Sequence, residues 1–279
     1  MILDMLKAIL FGIVEGVTEW LPVSSTTHLR LLNLLIPIAA PESFMALFEV
    51  VIQLGAILAV VVLYWQRLWL FVKPGRGSGP AGVLRMDAVH LWLMVLIAIV
   101  PSALVGIPLD DWIDARLDRW GVIAVMLILY GIAFIVVDRP ERSGGIDRAE
   151  GIGIRTALLI GLAQTLALIP GTSRSGATIM GGVLAGCARS AAVEFSFFMA
   201  IPTMAGASLI KLIKLGGGLT AKECFILAAG LLSAFIVSLF CISSLVSYLK
   251  RRSFAIYGWY RIALGLVLFL FMILKKLPA

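Results

Sequence analysis

A chain of 279 residues that is 61% hydrophobic and only 14% charged is not an ordinary soluble domain, because such domains carry about 25% charged residues. With a mean hydropathy of +1.05, and apolar runs separated by loops too brief to hold a soluble domain, residues 1–279 read as one integral membrane domain. The net charge of +7 suits the basic cytoplasmic loops of such a protein and does not point to nucleic acid.

Residues 2–21 form an apolar helix that carries Asp4, Glu15 and Glu19. Those acids, the weakly basic start and the lack of a small-residue cleavage pattern argue against a signal peptide. Pro22 ends the helix, and a new one starts at Ser24, Ser25 or Thr26. Leu29 to Ile38 is too short to cross a bilayer, so this region is expected to enter and return on one side. Phe44 to Trp65 is the first full span and places Glu49 and Gln53 one helical turn apart. Arg67, Lys73, Arg76 and Arg85 surround a Pro/Gly-rich linker at 74–80, which is expected in the cytoplasm. Val89 to Leu109 spans next. Asp110, Asp111, Asp114 and Asp118 then suggest an external acidic turn, and Val122 to Val137 returns to a loop holding Arg139, Arg142, Arg148 and Arg155.

Thr156 to Ile169 is apolar for about 14 residues, roughly 21 Å of a ~30 Å hydrocarbon core, so it should stop partway. Pro170-Gly171 breaks it, and a second short helix begins in Thr172–Thr178 and runs to about Cys187. Three spans follow: Ala191 to Ile213 with Glu194 and Pro202, Glu223 to Leu249, and Ile256 to Leu274. Lys250-Arg251-Arg252 reads as a cytoplasmic anchor. Lys211, Lys214, Lys275 and Lys276 fall on the outer side, against the positive-inside trend. Cys187, Cys224 and Cys241 stand singly without C-x-x-C spacing, so packing rather than a disulfide or zinc site is expected.

The chain also resembles itself. Gly12-Ile13-Val14-Glu15 leads to Pro22-Val23-Ser24-Ser25, and Gly161-Leu162-Ala163-Gln164 leads to Pro170-Gly171-Thr172-Ser173; a glutamate-bearing span follows each. Matched positions stay about 145–149 residues apart. Three spans lie between the copies, an odd number, so the second copy enters from the opposite face. The expected fold is an all-α polytopic membrane protein with six transmembrane helices plus two re-entrant helix hairpins in an inverted-topology repeat (about 1–137 and 156–279), enclosing one polar cavity.

Ionisable groups at membrane depth cost roughly 2.5–3.5 kcal/mol each and so mark function by default. The stretch from Glu15 to His28 gathers two carboxylates, two serines, two threonines and a histidine. Both hairpin breaks start helices with hydroxyl residues, where unpaired amides favour anions. Arg174 suits a phosphate, because its guanidinium stays charged and binds oxygens bidentately. Pairing of Arg174 with Glu15, Glu19 or Glu49 is the competing reading. Glu15 and Glu19, four residues apart, share a helix face and could hold Mg2+ or Ca2+, or one could act as a general base. Ser25 and His28, three apart, could form a nucleophile–base pair, although a hydrogen-bonded helix histidine has the same spacing. His90 reads as interfacial.

Glu15-Gly-Val-Thr-Glu19-x-Leu-Pro-Val-Ser-Ser-Thr-x-His28, Glu49-Val-Val-Ile-Gln53-Leu-Gly and Pro170-Gly-Thr-Ser-Arg174-Ser-Gly-Ala-Thr178 resemble the signatures of the bacterial undecaprenyl-diphosphate phosphatases of the bacitracin-resistance type. The resemblance runs along essentially the whole chain. It implies a cytoplasmic-membrane enzyme that removes the terminal phosphate of undecaprenyl diphosphate and so regenerates a lipid carrier for wall polymers, with its site facing outward. Glu19, Ser25, His28 and Arg174 are then the expected catalytic residues. Ser24, Thr26, Gln53, Ser173, Ser175 and Thr178 are the expected substrate contacts, with Glu15 and Glu19 on the divalent cation. Expected partners are the polyprenyl diphosphate and the bilayer, and a homodimer is compatible with the pattern. Thr27 stands where the family usually has glycine. A lipid flippase is the rival reading, since inverted repeats with broken helices are a transporter architecture.

Overall fold

The computed structural model describes residues 2–71, 84–137, 145–215, 218–249, 253–274 and 277. The linker at 74–80, Lys73, Arg139, Arg142, Lys250–Arg252, Lys275 and Lys276 lie outside the described residues, as do the side chains of Asp110, Asp111, Asp114, Lys211 and Lys214.

The first helix, α1 (Ile2–Thr18), buries Ala8, Phe11, Gly12, Glu15 and Gly16, a spacing that lines one helical face. It ends three residues short of the expected Leu21, because a turn over 19–23 already prepares the break at Pro22. Then follow α2 (Ser25–Leu35), α3 (Glu42–Leu63), the single turn α4 (Trp65–Leu68), α5 (Met86–Leu117) and α6 (Trp120–Val137). The expected acidic turn at 110–118 is a correction: α5 continues through Pro101 and Pro108 to Leu117, so the aspartates extend a helix and only Asp118 caps it. The second half holds α7 (Ile154–Thr165), a 3-10 turn over Leu166–Leu168, α8 (Arg174–Leu184), α9 (Arg189–Leu215), α10 (Ala221–Leu249) and α11 (Ala255–Ile273).

Among the described residues six helices are long and apolar enough to cross a membrane, α3, α5, α6, α9, α10 and α11, which makes this a multi-pass membrane protein. Leu104, Ile107, Phe240, Trp259 and Ile273 stand exposed on their outer faces, as lipid-facing side chains do. Because α9 is buried on nearly every side from Ala191 to Ala200, it is the central helix. It packs on α3, and α10 packs on α3 from the other side. Trp20 and Tyr64 meet Phe197 and Phe198 of α9 edge-to-face at 5.0 and 5.2 Å.

The short helices attach in corresponding ways: α1 lies along α10, and α7 lies along α5. Both contacts need glycine. A Cβ on Gly12 would come 2.3 Å from the Gly230 carbonyl oxygen, and one on Gly161 would come 2.1 Å from that of Ala98. At one end of the bundle Arg67 of α4 grips Glu150 through Nε and Nη2, both at 2.8 Å, and Glu194 of α9 through Nη1 at 2.9 Å. Burial opposes its charge, but the hydrogen bonds to Glu194 and Glu150 outweigh that and hold the guanidinium above its ordinary pKa. Glu194 therefore ties helices together at this end. Cys187 is buried between α8 and α9, where desolvation pushes its thiol up to about 11 and keeps it protonated.

Candidate active site

Two serines define the site's frame. Ser24 and Ser173, each immediately before a helix, have φ of 74° and 72° and are the only non-glycine residues with positive φ among those described. Such conformations cost of order 1–3 kcal/mol each and persist where neighbours over-determine them. At Ser24 the hydroxyl lies 2.9 Å from that of Thr27, while the backbone carbonyl lies 2.7 Å from His28 Nδ1. At Ser173 the hydroxyl accepts from the Gly176 amide at 3.2 Å. Gly171 (φ +90°) precedes Ser173 where a Cβ would fall 2.7 Å from the Ile123 carbonyl oxygen, so glycine is required there.

Arg261 of α11 holds the two turns together. Fully buried, it donates to the carbonyls of Pro22 at 3.1 Å, Gly171 at 2.8 Å, Thr172 at 3.0 Å and Met126 at 3.5 Å. No motif marks Arg261, although an arginine within the last apolar run is as costly to bury as Arg174. Arg261→Met is expected to destabilise the protein by about 3 kcal/mol or more, since it strands several buried carbonyls at about 1–3 kcal/mol each. Thermal melting in detergent checks this; a melting temperature equal to wild type would contradict it.

A hydrogen-bonded group lies between these turns. Ser25 Oγ donates to Glu19 Oε2 at 2.6 Å, and Arg174 Nη2 donates to Glu19 Oε1 at 2.6 Å. Arg174 is anchored by Nη1 on the Ser196 carbonyl at 2.8 Å. One carboxylate thus joins a hydroxyl from the first half to a guanidinium from the second. All three line a cavity of about 290 Å³, together with Ser24, Thr26, Gln53 and Ser173. Leu168, Ile169 and Met204 add apolar lining. Arg30, Thr203 and Met204 also reach the cavity; no motif pointed to them.

Four expected site residues, Glu15, His28, Ser175 and Thr178, do not line this cavity. The partner of Ser25 is Glu19, not His28: the imidazole bridges the Ser24 carbonyl and Tyr260 Oη, the latter at 2.6 Å. With α2 starting at Ser25, a residue at position 28 lies one turn above the Ser24 carbonyl, which captures its ring. Ser175 and Thr178 are buried behind the cavity wall. Ser175 donates to the Glu19 carbonyl at 3.1 Å, and Thr178 donates to the Arg174 carbonyl at 2.9 Å and lies 2.6 Å from Ser196 Oγ. These two bond to the Glu19 and Arg174 backbone and do not line the cavity.

Glu15 is fully buried, and neither carboxylate oxygen has a hydrogen-bond partner. Glu19, Glu49 and Arg174 are its charged neighbours. Among the described residues no three His, Cys, Asp or Glu side chains form a metal-holding group. Two carboxylates nevertheless fit Mg2+, which is commonly held by one or two carboxylates plus phosphate oxygens of a substrate, and the orphaned oxygens of Glu15 are a donor set of that kind.

Residues 8–267 match the family described as Bacitracin resistance protein BacA. The chain is 48% identical to an undecaprenyl-diphosphatase of Acetivibrio thermocellus over 273 residues, covering 97% of this chain and 98% of that one. It is 48% identical to the undecaprenyl-diphosphatase of Enterococcus faecalis over 270 residues (96% and 97%). A third, from Limosilactobacillus fermentum, is 47% identical over 272 residues (95% and 96%). With the family pattern spanning nearly its whole length, this chain belongs to the bacitracin resistance protein BacA family.

Proposed function

We infer that the chain is an undecaprenyl-diphosphatase: it hydrolyses undecaprenyl diphosphate to undecaprenyl phosphate and inorganic phosphate, recycling a lipid carrier for wall synthesis and conferring bacitracin resistance. The observation that carries this reading is the Ser25–Glu19–Arg174 chain of hydrogen bonds on a cavity wall. Glu19 takes the hydroxyl proton as Ser25 Oγ bonds to the terminal phosphorus. The bridging P–O bond breaks, and Glu19 passes the proton to the departing undecaprenyl phosphate. Water then attacks the phosphoserine and gives a proton to the freed Glu19 carboxylate, which returns it to Ser25 Oγ as the Ser–O–P bond breaks and phosphate is released. Arg174 and the amides that open α2 and α8 hold the phosphoryl oxygens, and catalysis rests on that positioning and charge stabilisation. His28 acts by fixing the Ser24 turn. Glu15 and Glu19 would hold a divalent cation, which supplies charge neutralisation for the phosphates.

In this reading α1–α2 and α7–α8 are re-entrant hairpins of an inverted-topology repeat. The support is their shared Pro-to-serine breaks and their corresponding contacts with α10 and α5. The enzyme sits in the bacterial cytoplasmic membrane with its cavity open to the outer side. The test is phosphate release from a polyprenyl diphosphate by purified protein, with and without a chelator. Release that stops on chelation and returns with Mg2+ or Ca2+ is expected, and so is a phosphoserine trapped at Ser25. No release with any divalent ion would overturn the activity. Full turnover by Ser25→Ala would eliminate the covalent step in favour of direct attack by water.

A further inference from the structure

The cavity holds more positive charge than the reaction just described uses. Arg174 is already committed to Glu19 and to the Ser196 carbonyl, so its charge is largely balanced before any ligand arrives. A diphosphate brings two phosphates, and even with a divalent cation on Glu15 and Glu19 the phosphate next to the one attacked has no guanidinium assigned to it. Arg30 is the other guanidinium on the cavity lining. It lies four residues after Thr26, which also lines the cavity, so the two share a face of α2. The helix rise places it about 7.5 Å along the axis from Ser25, a separation suited to the phosphate next to the one attacked. Its present partner is Asp118, at the α5–α6 junction. The two side chains are 36% and 32% exposed, so solvent screens the pair and it can be exchanged at little cost.

We propose that Arg30 is the second phosphate-binding residue of this site: it releases Asp118 and grips the lipid-attached phosphate of the diphosphate, while Arg174 holds the terminal one. This rests on the phosphatase reading for the natural ligand. As the bridging P–O bond breaks, negative charge grows on the departing phosphate, and Arg30 is placed to meet it. Asp118 keeps the guanidinium oriented and neutralised when no ligand is bound.

Methylenediphosphonate, which carries two phosphonates and resists hydrolysis, tests this against orthophosphate, with calorimetric binding to the full-length protein at constant magnesium. For Arg30→Gln the diphosphonate Kd should rise about tenfold or more, the size of a lost charge-assisted contact, while the orthophosphate Kd stays within about twofold. Arg30→Lys should recover part of the loss. Asp118→Asn should bind the diphosphonate at least as tightly as wild type, because it removes a competitor for Arg30. If Arg30 and Asp118 were only a structural latch, the two variants would fail alike; equal losses in both, or an unchanged diphosphonate Kd in Arg30→Gln, overturn the proposal. Melting temperatures of the unliganded variants separate misfolding from lost binding. Phosphate release by the wild type reports on the activity separately, so failure of either reading is visible without the other.

Discussion

Arg174→Ala is expected to lower kcat by about three orders of magnitude or more. Two losses combine. A fixed donor aimed at developing charge is worth about 2.7–4 kcal/mol, or roughly 10²- to 10³-fold. Beyond this, Glu19 is only 5% exposed and would lose its ion-pair partner. Stripping one member from a buried pair costs about 3–5 kcal/mol, and Glu19 would lose the contact that fixes it beside Ser25, so base and anion grip fail together. Arg174→Lys should remain poor, because one ammonium does not reproduce the fork that reaches Glu19 and Ser196 at once. Steady-state phosphate release and the melting temperature of each variant decide this. A kcat for Arg174→Ala within tenfold of wild type would remove the phosphate grip from the mechanism.

Glu19→Gln is the second large expected effect, a kcat loss of about 10²- to 10⁴-fold, the usual contribution of a positioned general base. The substitution keeps shape and one hydrogen-bonding oxygen, so Ser25 should stay in place while losing the group that takes its proton. The accompanying prediction is that no phosphoserine accumulates, since the first step is the one that fails. Normal trapping of phosphoserine in Glu19→Gln would move the base to another residue. His28→Asn, by contrast, would act through the Ser24 turn and Tyr260 and not through proton transfer from Ser25.

The helix positions and both breaks were legible in the sequence, because proline, glycine and the length of each apolar run act locally. The gathering of Glu19, Ser25 and Arg174 at one place was also foreseeable, since an arginine and two carboxylates at that depth must find one another. What local pattern could not supply was who bonds whom. The Ser25–His28 spacing suggested a catalytic pair, yet the left-handed backbone at Ser24 turns its carbonyl toward the imidazole. Glu19 reaches Arg174 across 155 residues, and no periodicity carries that distance. Ser175 and Thr178 lie near Arg174 in sequence, but their short side chains end on the Glu19 and Arg174 carbonyls, short of the cavity that the longer Arg174 reaches. The acidic stretch after Leu109 misled for a different reason: outside the lipid, aspartates no more end a helix than extend it, and α5 arrives there from a largely apolar span of 24 residues, Met86–Leu109.

The clamp at Arg261 has an evolutionary reading. Its guanidinium meets main-chain oxygens of Pro22, Gly171, Thr172 and Met126, and so it recognises the path of the chain and not the identity of the side chains along it. The two turns are therefore free to diverge without losing their common scaffold. In the proposed reaction one turn carries the nucleophile Ser25 and the other the anion grip Arg174, so a single scaffold serves two different tasks. Engineers wishing to re-equip this cavity have the same freedom: the residues facing the void can be exchanged while Arg261 continues to hold the frame.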